Sequence, residues 1–181
     1  MSLPPEDTAK PAELAEPAEA PGERQGLEEF LDYYREVMRR KVMGLDQTAL
    51  NRTVADSSLT LGGIIKHLSL VEESWFVEDI LGQELSEPWS AIDWETDRDW
   101  DFESAAHDSP DYLLALHAAA CERSRQILAG IDDLDTLVAR EPSSGDRFNV
   151  RWVLIHMIEE YARHVGHADL IRESIDGATG D

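Results

Sequence analysis

Four segments of the chain carry apolar residues at intervals of three and four, and strand-like alternation is absent. They span about residues 23–44, 60–81, 110–130 and 149–174. This spacing places the apolar side chains on one stripe of an α-helix, and that stripe must be buried against other helices. Four amphipathic helices of similar length predict an all-α fold, and in particular a four-helix bundle.

The connection between the second and third helices, residues 83–109, is much longer than the roughly two to eight residues usual in a bundle. A connection of this length can run along the bundle, so that helices two and three lie parallel instead of forming a hairpin. Its apolar Trp89, Trp94 and Trp100 predict that it is held against the helices. Its acidic residues, Asp101 among them, fit a solvated outer face. The connection is therefore either a lid over a cavity or a strap that closes a groove.

The two ends of the chain differ from the helical part in composition. Residues 1–22 are acidic and rich in Pro and Ala, which predicts a disordered tail, and residues 175–181 predict a short flexible tail. The first residues lack the basic start and apolar stretch of a secretory signal. Cys121 is the single cysteine, which excludes an internal disulfide and fits a reducing compartment. We therefore expect one cytoplasmic domain over residues 23–174.

Charge and hydropathy exclude two classes of partner. The 38 acidic and 16 basic residues give a formal net charge of −22, whereas nucleic-acid backbones are bound by clusters of Lys and Arg. No apolar run approaches the roughly 18 residues that can span a bilayer, and the negative charge disfavours docking on anionic lipid. We expect neither nucleic acid nor a membrane as a partner, and a small molecule as the substrate.

Ionisable residues interrupt the predicted core-facing positions of the fourth helix. Positions 150, 153, 157, 160, 164, 167 and 171 follow alternating steps of three and four, and they read Val, Val, Met, Glu, His, His and Ile. Burying the carboxylate of Glu160 costs several kcal/mol unless a cation or a metal ion compensates its charge. Glu160 and His164 stand one turn apart on one face, so both can bind the same ion. The pattern predicts a metal site, with a buried hydrogen-bond network as the alternative.

A third ligand has to come from elsewhere, because a catalytic metal site needs about three protein ligands and an open position. His67 on the second helix is the candidate, since it flanks the apolar stripe and Gly63 leaves space beside it. The chain lacks the Glu-x-x-His pairs of a di-iron bundle and the HExxH helix of zinc proteases. A mononuclear site is therefore predicted.

Two further histidines lie about one turn from the pair formed by Glu160 and His164 on the fourth helix. His156 precedes Glu160 and His167 follows His164, and we predict that both surround the site without binding the ion. A site formed by Glu160, His164 and His167 alone is the alternative, although three ligands from a single helix are cramped.

Three stretches together resemble the DinB/YfiT-like metalloenzyme superfamily: the HxxxExxxHxxH run on the last helix, the GGIIKHLSLVEESWF helix and the Trp-rich acidic connection. Within it, the chain is most similar to the branch that contains the metal-binding domain of mycothiol-dependent maleylpyruvate isomerase. The resemblance covers about residues 23–174 and implies a bundle of up-down-down-up topology. It also implies that His67, Glu160 and His164 bind one divalent metal ion, zinc in the first place, with nickel, iron or manganese as alternatives.

The function that the resemblance implies is that of a metal-dependent thiol transferase or isomerase. A low-molecular-weight thiol such as mycothiol would bind the ion, lose its proton and attack an electrophilic small molecule. The family implies a homodimer, and the candidate contacts for substrate or cofactor are Arg151, Arg163, Trp89 and Trp94. Two alternatives remain: a hydrolase that uses the same ion to activate water, and a metal-stabilised protein that binds a partner or a stress metabolite without catalysis.

Overall fold

The structure is a computed structural model that describes residues 14–141, 145 and 147–180. Of the predicted N-terminal tail, residues 1–13 lie outside this described part of the chain. The next residues, up to the first helix, have no regular secondary structure, and Leu14 packs against the core.

The regular elements of the described chain are all helices, which confirms the predicted all-α class. Four long helices match the four predicted segments, and the short ones lie in the connections. In chain order they are α1 (Glu23–Val42), α2 (Gln47–Leu50), α3 (Leu61–Glu72), α4 (Trp100–Ser104), α5 (Pro110–Ala129) and α6 (Val150–Asp176). Helix α3 continues in π-helical turns over Glu73–Ile80, and 3-10 turns cover Trp89–Ala91 and Ala105–His107. Among the described helices, none is both long and apolar enough to cross a membrane.

Side-chain caps define where three of the long helices begin. Thr60, Ser109 and Asn149 each accept a hydrogen bond from the backbone N–H three residues later, at 3.0, 3.2 and 2.9 Å. Each cap satisfies an N–H group that has no partner within its helix. Pro110 stands at the first position of α5, where a missing N–H costs nothing. The starts of α3, α5 and α6 therefore follow from residues close in sequence.

Helix α3 is the element with the most neighbours. It packs along α5 and also contacts α1, α4 and α6, while α1 packs along α6. The long helices share one core, whose largest buried side chains include those of Leu31, Ile64, Phe76, Leu113 and Tyr161. A polar residue on α3 is therefore enclosed by other helices on several sides.

The buried face of α6 departs from the predicted seam in the middle of the helix. His164 is buried as predicted, but Glu160 is only half-buried and His167 is exposed, whereas Tyr161 and Ala168 are fully buried. A straight helix has 3.6 residues per turn, so its buried stripe drifts by about 20° per heptad from strict steps of three and four. The prediction that Glu160 and His167 both occupy core positions is therefore wrong.

The long connection is held against α3 by aromatic packing. We call residues 89–108 the strap. Its Trp100 is met edge-on by Trp89 and Trp94 at centroid distances of 6.1 and 6.4 Å. The ammonium of Lys66 on α3 lies 4.2 Å from the centroid of the Trp100 ring, within the range of a cation–π interaction. Trp100 thus links the strap to α3, and Trp89 and Trp94 pack against Trp100 within the strap.

Candidate metal centre

Two helices bring three of the predicted site residues together. His67 lies on α3, and Glu160 and His164 lie one turn apart on α6. One ligand atom from each of the three lies within 4.8 Å of the others, and the two imidazole centroids are 5.0 Å apart. The contact between α3 and α6 therefore assembles a group of two imidazoles and one carboxylate.

The spacing within this group fits a shared ion better than a direct hydrogen bond. Nε2 of His164 lies 3.5 Å from Oε2 of Glu160, beyond the roughly 2.7–3.2 Å of a good hydrogen bond. Two ligands of a tetrahedral ion with bonds of about 2.1 Å are separated by about 3.4 Å. In the described chain, Nδ1 of His164 is buried without a hydrogen-bond partner, and an ion bound at Nε2 would leave this second ring nitrogen unpaired. The donor set therefore fits a divalent ion of the zinc type.

The group is partly open to solvent and carries a neutral imidazole. The side chains of His67, Glu160 and His164 are 22%, 16% and 11% exposed. Burial lowers the pKa of His164 to about 4, and the neighbouring His67 and His167 act in the same direction. The His164 ring is thus uncharged at neutral pH, which is the form that binds a metal. A small molecule can approach an ion held here.

A buried carboxylate on the strap orients His67. Oδ2 of Asp101 lies 2.7 Å from Nδ1 of His67, and the Asp101 side chain is only 3% exposed. An ionised carboxylate can only accept, so Nδ1 carries the proton and Nε2 keeps its lone pair for a ligand. The ring of Phe102 stacks on His67 at a centroid distance of 4.5 Å. The prediction that Asp101 belongs to a solvated outer face is wrong.

Helix α3 holds this part of the strap at two points. The ammonium of Lys66 donates to the Asp108 carboxylate at 2.5 Å and to the Ser104 hydroxyl at 2.7 Å. One turn earlier, Gly63 lets the strap approach closely, because a Cβ there would lie 3.2 Å from the ring and the carbonyl of Phe102. The carboxylate beside the candidate ligands is therefore positioned by contacts with α3.

The two further histidines border the group without completing it. Nε2 of His156 lies 3.8 Å from Oε1 of Glu160, and its ring stacks on Trp152 at 5.0 Å. His167 is exposed, and its ring meets that of His164 edge-on at 5.7 Å. Both lie beside a candidate ligand, and their influence on the ligands stays a prediction.

The four candidate contacts for substrate or cofactor lie in different places. Nη1 of Arg163 is 3.9 Å from Oε1 of Glu160, so this residue borders the group. Arg151 lies at the start of α6, nine residues before Glu160 and thus about 13.5 Å along the helix. Trp89 is 1% exposed, and Nε1 of Trp94 donates a hydrogen bond to the backbone carbonyl of Trp89 at 3.3 Å. Of these four residues, Arg163 is the one with an observed contact to the group in the described chain.

A second polar group, which the sequence analysis missed, lies in the core between the long helices. Arg35 donates to the two carboxylate oxygens of Glu72 at 2.7 and 2.6 Å, and the hydroxyl of Tyr161 donates to the same carboxylate at 2.8 Å. Nε2 of His117 lies 2.9 Å from that hydroxyl, and Sγ of Cys121 lies 3.5 Å from the same nitrogen. Polar side chains of α1, α3, α5 and α6 thus satisfy one another.

Burial decides the protonation of this core network. It lowers the pKa of His117 to about 4 and raises the pKa of Cys121 to about 12. Burial also opposes the charges of Arg35 and Glu72, but their attraction outweighs it, so the pKa of Arg35 is raised and that of Glu72 is lowered. The network is therefore an ion pair with neutral neighbours, and the Cys121 thiol is a packed group instead of a nucleophile.

The fold and the His–Glu–His group together define a helical protein of the DinB-like class with side chains that can hold a divalent metal ion. A family comparison is more specific, since the sequence profile of the mycothiol-S-transferase family matches residues 26–177. The chain belongs to this family, which confirms the resemblance to the DinB-like superfamily. DinB-like families of this kind are generally metal-dependent.

Among solved structures, the chain is similar to a conserved protein from Enterococcus faecalis. The two are 16% identical, the match covers 88% of this chain and 100% of that one, and the TM-score is 0.66. At this identity the likeness shows the fold alone. Comparison with curated protein sequences gives no match.

Proposed function

We propose that this chain is a divalent-metal-dependent enzyme that activates a low-molecular-weight thiol of the mycothiol type for S-transfer to, or isomerisation of, an electrophilic small molecule. The observation that carries the proposal is the convergence of His67, Glu160 and His164, with Asp101 bonded to His67 from the strap. Membership of the mycothiol-S-transferase family supports the choice of thiol. Zinc is the first choice of metal, and nickel, iron and manganese are the alternatives.

The ion would supply Lewis acidity, which lowers the pKa of a coordinated thiol and favours the nucleophilic thiolate. The chain's own residues would hold the ion, set its charge and leave access for the thiol. Asp101 holds His67 so that Nε2 is free to bind. Glu160 contributes the single negative charge of the ligand set, which leaves positive charge to attract a thiolate. The partial exposure of the three side chains leaves a path for the thiol.

Two residues beside the group can act on a bound thiol or substrate. His167 is exposed next to His164 and can accept the proton that the thiol releases. The guanidinium of Arg163, 3.9 Å from Glu160, can hold a carboxylate of the substrate. Arg163 also pairs with Glu159, so it would exchange one carboxylate partner for another.

We also propose a topology and an assembly. The side-by-side packing of α3 with α5 and of α1 with α6, and the length of the strap, support a four-helix bundle of up-down-down-up topology. A homodimer is the assembly proposed for it.

The experiment is metal analysis of tag-free protein at equimolar zinc, run beside His67→Ala, Glu160→Gln and His164→Ala. His107→Ala is the matched control, because His107 is an exposed histidine at the end of the strap. We expect one tightly bound ion in the parent and the control, and its loss in the three variants. Consumption of mycothiol with an electrophile should stop on chelation and return with zinc.

Three results would count against the proposal in different ways. A folded parent that takes up no zinc, nickel, iron or manganese refutes the metal site. A metal-bound parent that hydrolyses an ester or amide without a thiol supports the hydrolase. A metal-bound parent without either activity, whose thermal stability collapses on chelation, supports the metal-stabilised binding protein.

A further inference from the structure

A second group of ligand atoms adjoins the first and shares one residue with it. His156, Glu159 and Glu160 each offer a ligand atom within 4.8 Å of the others. The two oxygens of Glu160 face different histidines: Oε2 lies 3.5 Å from Nε2 of His164, and Oε1 lies 3.8 Å from Nε2 of His156. We propose that Glu160 bridges two cation sites, the second being a weaker site for a divalent ion formed by His156, Glu159 and Glu160.

The distances in this second group are too long for hydrogen bonds and close to those between ligands of one ion. Nδ1 of His156 lies 3.8 Å from Oε2 of Glu159, and Nε2 lies 3.8 Å from Oε1 of Glu160. A good hydrogen bond is no longer than about 3.2 Å. Ligands of a tetrahedral ion with bonds of about 2.0–2.2 Å stand about 3.3–3.6 Å apart. The two carboxylates face opposite nitrogens of the ring, and one ion binds only one of these nitrogens, so one carboxylate has to turn toward the other's nitrogen. One ring nitrogen and one oxygen of each carboxylate already lie within 4.8 Å of one another.

The ring of His156 is already held in place. It stacks on Trp152 at a centroid distance of 5.0 Å and an interplanar angle of 13°, and Trp75 meets it edge-on at 4.7 Å. Its side chain is 25% exposed, so part of the imidazole reaches solvent. A ligand that is ordered before binding loses less conformational entropy when the ion arrives. The two tryptophans therefore turn His156 into a preorganised metal ligand.

One cation competes with the second ion. Arg163 pairs with Glu159, and its Nη1 lies 3.9 Å from Oε1 of Glu160. A divalent ion must displace this guanidinium, which makes the second site weaker than the first. The formal net charge of −22 favours cations near the surface in general. An imidazole with two carboxylates suits a transition ion such as zinc better than calcium or magnesium, which prefer oxygen ligands alone.

Native mass spectrometry of the tag-free full chain, titrated with zinc, counts the bound ions. We expect two ions in the parent at excess zinc, and one in His156→Ala and in Glu159→Gln. His107→Ala should keep both, because His107 is exposed and lies outside the two groups. Arg163→Met should fill the second site at a lower zinc concentration than the parent does. Circular dichroism verifies that each variant is folded.

The outcomes distinguish the second site from the first. A parent that holds a single ion at saturating zinc refutes the second site and leaves the first intact. A second ion that persists in both His156→Ala and Glu159→Gln binds elsewhere, and this result also overturns the proposal. A parent that binds no ion refutes both sites. His67→Ala should lose the tight ion and keep the weak one.

Discussion

Replacing Asp101 by Asn tests whether the strap positions a metal ligand. The Asp101 carboxylate is 3% exposed and accepts from Nδ1 of His67 at 2.7 Å. Asparagine has the same shape, and its carbonyl can still accept this hydrogen bond, so the strap should keep its place. The substitution removes the negative charge that fixes the tautomer of His67 and raises the basicity of its Nε2.

The expected loss of metal affinity follows from the contact between the Asp101 carboxylate and His67. Removing a carboxylate that bonds to a metal-ligating histidine lowers metal affinity by about 10- to 100-fold, which corresponds to about 1.4–2.7 kcal/mol. The Asp101 carboxylate is buried, and a charge-assisted hydrogen bond is roughly twice as strong as a neutral one. We therefore expect a loss near the upper end of this range.

The assay is competition for zinc between the protein and a chromophoric chelator at neutral pH. Glu103→Gln is the matched control, since Glu103 lies two residues later on the same helix, is exposed, and undergoes the same change in charge. The reasoning fails if Asp101→Asn binds zinc as tightly as the parent. It also fails if the control is weakened equally, because the effect would then reflect net charge instead of the contact with His67.

Three further predictions concern the core and the strap. Tyr161→Phe removes a donor to the buried Glu72 carboxylate and should lower the free energy of unfolding by about 1–3 kcal/mol in urea titrations; an unchanged midpoint would contradict this. The Cys121 thiol, whose pKa burial raises to about 12, should resist alkylation in the native protein at neutral pH and react after unfolding, whereas fast native labelling would show that it is accessible. Gly63→Ala would place a Cβ 3.2 Å from Phe102 and 3.1 Å from the Thr60 hydroxyl, so limited proteolysis within the strap should speed up and zinc affinity should fall. Gly62→Ala is its control, because a Cβ there makes only ordinary contacts from 3.5 Å, and equal effects of the two substitutions would refute the steric argument.

The periodicity of apolar residues was sufficient to predict the all-α class and the positions of the long helices. Each predicted segment corresponds to one long helix, and the starts at Leu61, Pro110 and Val150 follow capping residues that are visible in the sequence. Periodicity was less accurate about which residues face the core. Steps of three and four follow a period of 3.5, whereas the helix has 3.6 residues per turn, so the exposure of His167 was not anticipated.

Glu160 and His164 could be predicted because ionisable side chains stood where apolar ones were expected, and His67 because it flanks the apolar stripe of the second helix. Asp101 could not be found in this way, since it lies in a connection without periodicity and its partner His67 is thirty-four residues away in sequence. Its only local signal is its position between Trp100 and Phe102, because an acid flanked by two aromatic residues is drawn toward the surface that they cover. The acidic composition of the connection does not distinguish the buried Asp101 from the solvated acidic residues around it.

The same criterion applied to α3 would have found Glu72. Leu61, Ile65, Leu68 and Glu72 follow steps of four, three and four, and Glu72 is fully buried. A charged residue in an apolar stripe therefore predicts burial, but it does not reveal what compensates the charge. For Glu72 the compensation is Arg35, which is itself buried and bonds both carboxylate oxygens.

Glu160 is in a different situation. The nearest guanidinium in the described chain is that of Arg163, which is 56% exposed and 3.9 Å away, and screening by solvent makes such a pair weak. Instead, three imidazoles lie near Glu160. His156 and His164 stand one turn before and one turn after it on α6, and His67 lies on α3. Imidazoles and a carboxylate together form a ligand set for a divalent cation. Glu72 thus has a buried protein counter-ion, whereas Glu160 has histidines around it instead, and this difference is the reason to propose a metal ion at Glu160.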